Sequence, residues 1–225
     1  MEITYYGHSC VGIKIAETYL LVDPFISENP LAKHIDINSI KADYILITSA
    51  HQDHTTDVEA IAKRTNAKII SNFEIVEYFY DRGIDGHPLN LGGGNNFPFG
   101  VLKFVPALHS STFQNGKAGG CAGGFIIKTM DKTIYIAGNT ALHFDMQLIP
   151  VRYKLDLAIL PIGGNFTMDV EDAIMASDFV KCNTIMGVNY DTFNLIKIDH
   201  ELAKRSFKAK GKELLLPAIG SFITV

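Results

Sequence analysis

The sequence predicts an α/β protein with mixed β-sheets, forming one domain over residues 1–225. Three observations lead there. Short β-branched or aromatic runs, bounded by Gly, Pro or polar breaks, recur along the chain. Segments with apolar residues at helical spacing are interleaved with them. In each half, some of the strand-like runs follow one another closely enough to form hairpins. Hydrophobic residues make up 47% and charged residues 20%, an ordinary globular balance. A chain of this length buries roughly 70–75% of its unfolded surface, so a metal, if present, serves a site rather than the fold.

The N-terminal stretch reads as strands Ile3–Tyr6, Cys10–Ile15 and Tyr19–Val22, the last ending at Asp23-Pro24. Tyr44–Thr48 is an apolar run of the buried-strand type. It stops at a polar loop, Ser49 to Asp57, after which Val58, Ile61 and Ala62 recur at helical spacing. A strand at Lys68–Ile70 and a helix at about Glu74–Tyr80 follow. The glycine-rich stretch Leu91–Asn96 reads as a hairpin turn, because neither a helix start nor a Lys-Ser/Thr pair follows it. Strands return at Leu102–Val105, Gly124–Ile127, Thr133–Ala137 and Leu157–Leu160. Asp169, with Asp172 three residues on, resembles a capped helix start whose inner face is Ala173, Ile174 and Ser177. Strand Thr184–Val188, helix Leu202–Phe207 and strand Glu213–Leu216 complete the pattern.

Net charge is −4, which leaves no basic footprint for a nucleic-acid backbone. Cys10, Cys121 and Cys182 are odd in number and far apart. They suggest free thiols in a reducing compartment rather than a thiolate zinc site. No signal peptide and no apolar run of spanning length is visible, so the expectation is a cytoplasmic protein without a membrane partner.

Ligand-capable residues sit just after strand ends: Asp23, His51 to His54, His109, Asn139 and Asn189. In layered α/β folds such positions converge on one site. His51-x-Asp53-His54 is the densest of them. Two imidazoles and a carboxylate within four residues give the mixed nitrogen and oxygen donors that zinc, manganese or iron prefer. Read as residues alone, it is either a metal loop or a polar loop with a helix-capping Asp. Cys10, within a strand, reads as buried and unreactive. His34, His87 and His200 read as solvated.

Thr48-Ser49-Ala50-His51-Gln52-Asp53-His54-Thr55-Thr56-Asp57 resembles the T-H-x-H-x-D-H-x-x-D signature of the metallo-β-lactamase fold. Further likeness comes from Tyr6-Gly7-His8-Ser9-Cys10, Leu21-Val22-Asp23-Pro24-Phe25 and Ala107-Leu108-His109-Ser110-Ser111. Pro161 through Met168 and Asn189-Tyr190-Asp191-Thr192-Phe193 extend it. Together these are similar to a bacterial branch of metal-dependent hydrolases related to L-ascorbate-6-phosphate lactonase. The resemblance implies a four-layer αβ/βα sandwich with a two-metal site at one edge. One metal would be held at positions Ser49, His51 and His109, the other at Asp53, His54 and Asn189, with a bridging carboxylate at Asn139.

Ser49, Asn139 and Asn189 are substituted relative to that pattern, while His51, Asp53, His54 and His109 are intact. Two divalent cations about 3.5–4 Å apart need anionic ligands to offset their repulsion. Here only Asp53 and a hydroxide are available, so one divalent metal, zinc or manganese, is expected among His51, Asp53, His54 and His109. By the same resemblance, Asp53 would hold and deprotonate water. His8 either contacts substrate or makes a structural hydrogen bond. Asp23 would orient a ligating histidine, and Asp57 would either do the same or cap a helix. His143 is either a compensating ligand or a surface histidine. The expected function is hydrolysis of a small ester, lactone or phosphorylated compound, an anionic one included, in a chain that can form a homo-oligomer. The alternative is a degenerate relative that binds without turnover.

Overall fold

The computed structural model describes residues 1–225. Strand β1 (Glu2–Gly7) alternates half-buried and buried side chains, with Ile3 and Tyr5 inward. It therefore lies with one face on a core and the other near solvent. β2 (Cys10–Ile15) and β3 (Thr18–Val22) continue the meander antiparallel to it. β4 (Tyr44–Leu46), β5 (Lys68–Ser71) and β6 (Gly86–Pro88) then add in parallel. The parallel additions require crossovers: the segment from β3 to β4 holds only a 3-10 turn at Ile37–Ser39, while α2 (Val58–Thr65) and α3 (Phe73–Tyr80) supply the next two. The last strand of the chain, β14 (Phe222–Thr224), pairs antiparallel with β1. The first sheet thus runs β14-β1-β2-β3-β4-β5-β6.

The second sheet repeats the plan. β7 (Gly94–Phe97), β8 (Gly100–Pro106), β9 (Gly123–Lys128) and β10 (Thr133–Ile136) form an antiparallel meander. β11 (Leu157–Pro161), β12 (Thr184–Val188) and β13 (Glu213–Leu215) add in parallel beside β10. β10 and β11 are buried at every position, as expected for strands covered on both faces. The covering helices are α5 (Val170–Phe179) and α6 (His200–Ala209), which contribute Ala173, Ala176, Ala203 and Phe207 to the same core as both sheets. A second core lies between the first sheet and α2 and α3, with Ile61, Ala62, Ile75, Val76 and Phe79 against Ile45, Ile47 and Ile69. The two mixed sheets and their flanking helices form the expected αβ/βα sandwich. Each fully buried Ile or Phe contributes roughly 1.5–3 kcal/mol.

Most elements form where the sequence placed them, and the differences have local causes. The glycine run is not the turn of a hairpin: Gly94, Asn95 and Asn96 belong to β7, and the chain reverses at Pro98 and Phe99. The inner face of α5 is Ala173, Ala176 and Ser177, with Ile174 only partly buried. Its start is as expected, with Asp169 accepting a hydrogen bond from the Asp172 amide at 2.9 Å. β6 and β7 escaped the sequence reading because they are short and carry Gly, Pro or Asn, and β14 because it has only three residues. So did the single-turn helices α1 (Gln52–Thr55) and α4 (Ile149–Arg152). No helix is long and apolar enough to cross a membrane.

Candidate metal centre

The C-terminal ends of strands from both sheets open on one cleft of about 770 Å³. The first sheet supplies His8 after β1, Asp23 after β3 and His51 to His54 after β4. The second supplies His109 after β8, Asn139 after β10 and Asn189 after β12. His8, Asp23 and Asn189 each follow their strand directly and adopt left-handed backbone, with φ of 53°, 46° and 56°. That conformation costs a non-glycine residue about 1–2 kcal/mol. Gly138, at φ 67°, brings the Asn139 loop so close to Thr48 that a Cβ there would lie 2.8 Å from the Thr48 Cβ.

His8, Asp53, His51, His109, Asn139 and Asn189 line the cleft. His54 is fully buried behind Asp53, and its Nε2 lies 4.0 Å from Asp53 Oδ2. Ligand atoms of His8, Asp53 and His54 all fall within 4.8 Å of one another. His51 and His109 stand apart from this trio. Their rings pack edge to face at 5.1 Å, and His51 Nε2 is 3.2 Å from Ser110 Oγ. The tightest donor set is therefore not the expected His51, Asp53, His54 and His109, because His8 takes part in place of the two outer histidines.

Both trio histidines are held through their second ring nitrogen. Asp23 accepts from the Thr48 amide (2.8 Å) and hydroxyl (2.7 Å) and meets His54 Nδ1 at 2.9 Å. His54 Nε2 is left buried without a partner. Thr192 Oγ1 lies 3.0 Å from His8 Nδ1, and His8 Nε2 lies 2.9 Å from Asp53 Oδ2. Burial lowers the His8 pKa despite the pull of Asp53, so this contact joins a neutral imidazole to a carboxylate rather than an ion pair. When the His8 proton sits on Nδ1, Thr192 accepts it while donating to the Tyr190 carbonyl at 3.3 Å. The Nε2 lone pair then faces a carboxylate oxygen, an arrangement that a cation between them stabilises. Nitrogen ligands oriented by an outer oxygen, one carboxylate and an orphaned buried nitrogen form a donor set that fits a divalent metal.

The charges around the trio are strongly coupled. Burial alone would lower the His54 pKa, but the Asp23 and Asp53 carboxylates outweigh it and hold the imidazole up to about 9. Burial works against the Asp53 charge, yet His54 and His8 keep its carboxyl well below the usual range. Burial and then the neighbouring His51 push His109 down to about 4, and burial lowers His51 as well.

Two of the three substituted positions, Asn139 and Asn189, are tied to each other. Asn189 Nδ2 donates to Asn139 Oδ1 at 2.6 Å and to Ser9 Oγ at 3.2 Å. Ser49 is fully buried and its hydroxyl has no partner. Asp57 neither orients a histidine nor caps α2. Its carboxylate accepts from the Ile26 amide at 2.6 Å, the Ser27 amide at 3.0 Å and the Ser27 hydroxyl. It thus fixes the loop carrying Phe25, because the chain after β3 needs an acceptor there. His143 lies away from this cleft, in a separate pocket with Tyr135, Val105 and Met146, because the chain after Asn139 leads away from the cleft. It is no compensating ligand.

Sequence reasoning gave no role to Thr192, nor to Phe25, Phe166, Phe193 and Leu195, which line the cleft. A signal existed for most of them: Phe25, Phe166, Thr192 and Phe193 fall inside the strings that carried the resemblance.

A model described as the β-lactamase superfamily domain matches residues 2–188. The chain belongs to this superfamily. Within it, the chain is 57% identical over 223 residues to a UPF0173 metal-dependent hydrolase from Flavobacterium johnsoniae, covering 99% of both chains. It is 41% identical to UPF0173 metal-dependent hydrolase TTHA1283 of Thermus thermophilus, covering 95% of this chain and 94% of that one. Among solved structures, Igni18, a novel metallo hydrolase from Ignicoccus hospitalis, superposes with a TM-score of 0.90 at 32% identity, covering 99% of this chain and 97% of that one.

Proposed function

We propose that this superfamily member is a metal-dependent hydrolase holding one divalent cation, zinc or manganese, on His8, Asp53 and His54. The observation that carries the reading is the buried, unpartnered Nε2 of His54 beside Asp53 and His8. The names of the curated relatives and of Igni18 support it. A cation there supplies Lewis acidity for activating water against a carbonyl or phosphoryl group. Asp53, partly open to the cleft, accepts the proton of the attacking water. Asn139 and Asn189, beside His8 in the cleft lining, orient polar groups of the substrate. Neutral His51 and His109, which also line the cleft, hydrogen-bond the leaving group without adding charge. The substrate is a small ester, lactone or phosphorylated compound, the lactone resting on the resemblance to L-ascorbate-6-phosphate lactonase. The free cysteines suit a cytoplasmic setting, and assembly into a homo-oligomer is part of the reading.

A second reading has its own observation. The Asn139–Asn189 hydrogen bond closes the position where a bridging carboxylate would stand, which favours a relative that binds a small ligand without turnover. Elemental analysis of protein purified without affinity-column metal, combined with ester hydrolysis before and after chelation, separates the two. About one equivalent of metal and chelator-sensitive turnover support the hydrolase. Metal-free protein that stays inert after zinc or manganese is added overturns it.

A further inference from the structure

The walls of the cleft carry information about substrate that the metal centre does not. None of its lining residues is Lys or Arg, while Glu28 and Asp53 both line it. A divalent cation would bring two positive charges, and buried Asp23 and half-buried Asp53 already answer them with two negative ones. No permanent positive charge is left for a phosphate or carboxylate, whose desolvation in a cleft requires a paired cation. The remaining lining is apolar or amide apart from the Ser110 hydroxyl and the imidazoles of His8, His51 and His109. Phe25 and Phe193 pack edge-on against His8, with ring centroids at 5.5 and 5.4 Å, and lie 6.3 Å from each other. Phe166, Phe193 and Leu195 remain 51%, 38% and 66% exposed at the cleft. Large apolar side chains left open beside a site are surface that a ligand can cover.

We propose that the cleft selects an uncharged substrate, an ester, lactone or amide-like compound whose aromatic or branched alkyl group packs against Phe25, Phe166, Phe193 and Leu195. This rests on the hydrolase reading for the reaction but not for recognition. It sets aside the phosphorylated and anionic substrates that the resemblance allowed. The polar end of such a compound would meet the Asn139 and Asn189 side chains, and Glu28 at the mouth would repel anions.

The test therefore measures binding and turnover separately on the zinc-loaded protein. Saturation-transfer NMR compares a non-hydrolysable neutral probe, N-benzylacetamide, with benzylphosphonate. Turnover compares 4-nitrophenyl butyrate with 4-nitrophenyl phosphate. The neutral probe is expected to bind at least about tenfold more tightly than the phosphonate. Phe193→Ala should weaken it by about tenfold, the effect of uncovering much of one aromatic ring. Glu28→Lys should narrow the gap by improving phosphonate binding. If the neutral probe binds as described but neither ester is cleaved, the hydrolase reading fails and the recognition inference stands. Equal or tighter binding of the phosphonate, absence of binding by both probes, or indifference to Phe193→Ala overturns the inference.

Discussion

The assignment of the cation to His8, Asp53 and His54 makes a quantitative demand on metal binding. His54 carries a proton at neutral pH, since Asp23 and Asp53 hold its pKa up to about 9. A metal must displace that proton. Between pH 7 and pH 9 this competition costs about 1.4 kcal/mol per pH unit. Apparent zinc affinity should then rise about tenfold per unit and level off above about pH 9, with about one proton released per zinc at pH 7. Within the trio, Thr192→Val removes the 3.0 Å contact to His8 Nδ1 and leaves the ligands in place. Loss of such an outer hydrogen bond costs roughly 10–100-fold in metal affinity, or about 1.4–2.7 kcal/mol. His8→Ala removes a donor outright and should cost more than Thr192→Val. His51→Ala, whose ring faces Ser110 and His109, should cost less. Calorimetric titration with zinc, repeated in buffers of different ionisation enthalpy, gives both affinity and proton release. If His51→Ala abolished binding while His8→Ala left it intact, or if no proton were released at pH 7, the trio would be the wrong site.

Other consequences can be checked more simply. Asp23→Asn breaks a buried carboxylate–imidazole pair and should cost about 3–5 kcal/mol in the metal-free protein, lowering Tm by roughly 6–20 °C; a drop below about 2 °C would show the pair to be unimportant. Because the folded-state pKa of His54 is raised, that pair's contribution is full below the unfolded value of about 6.5. It is lost as pH rises through about 9, so Asp23→Asn and the parent should converge in stability in alkaline thermal melts. Ser49→His, Asn139→Asp and Asn189→His together should raise zinc stoichiometry from one to two equivalents, while each alone does little; two equivalents already bound by the parent would contradict this. Ala16 sits at φ 50° between β2 and β3, so Ala16→Gly should relieve about 1 kcal/mol of backbone strain and raise Tm by about 2–4 °C without altering zinc binding.

The periodicity and turn chemistry of the chain were enough to mark out nearly every long element. Cys10–Ile15 and Thr184–Val188 form strands with the expected ends, because their apolar content and boundary residues agree with the burial that tertiary packing imposes. The position of ligand-capable residues just after strand ends also revealed that a site exists and which loops build it, since a strand end is a local property of the sequence. What no local pattern contains is the pairing of ring nitrogens across the two sheets. His8 lies 45 residues from Asp53 and 184 from Thr192. Whether it contacts substrate or completes a donor set depends on how the β1 and β4 ends meet, and only the sandwich decides that. The same holds for His143, near Asn139 in sequence but turned to another pocket, and for Asp57, whose partners come from the loop after β3. The sequence by itself determined the fold class and pointed to the loops that carry ligand-capable residues. The tertiary structure decided which of them share an oxygen, because hydrogen bonds act over about 3 Å between atoms that the chain brings together only after both sheets have closed.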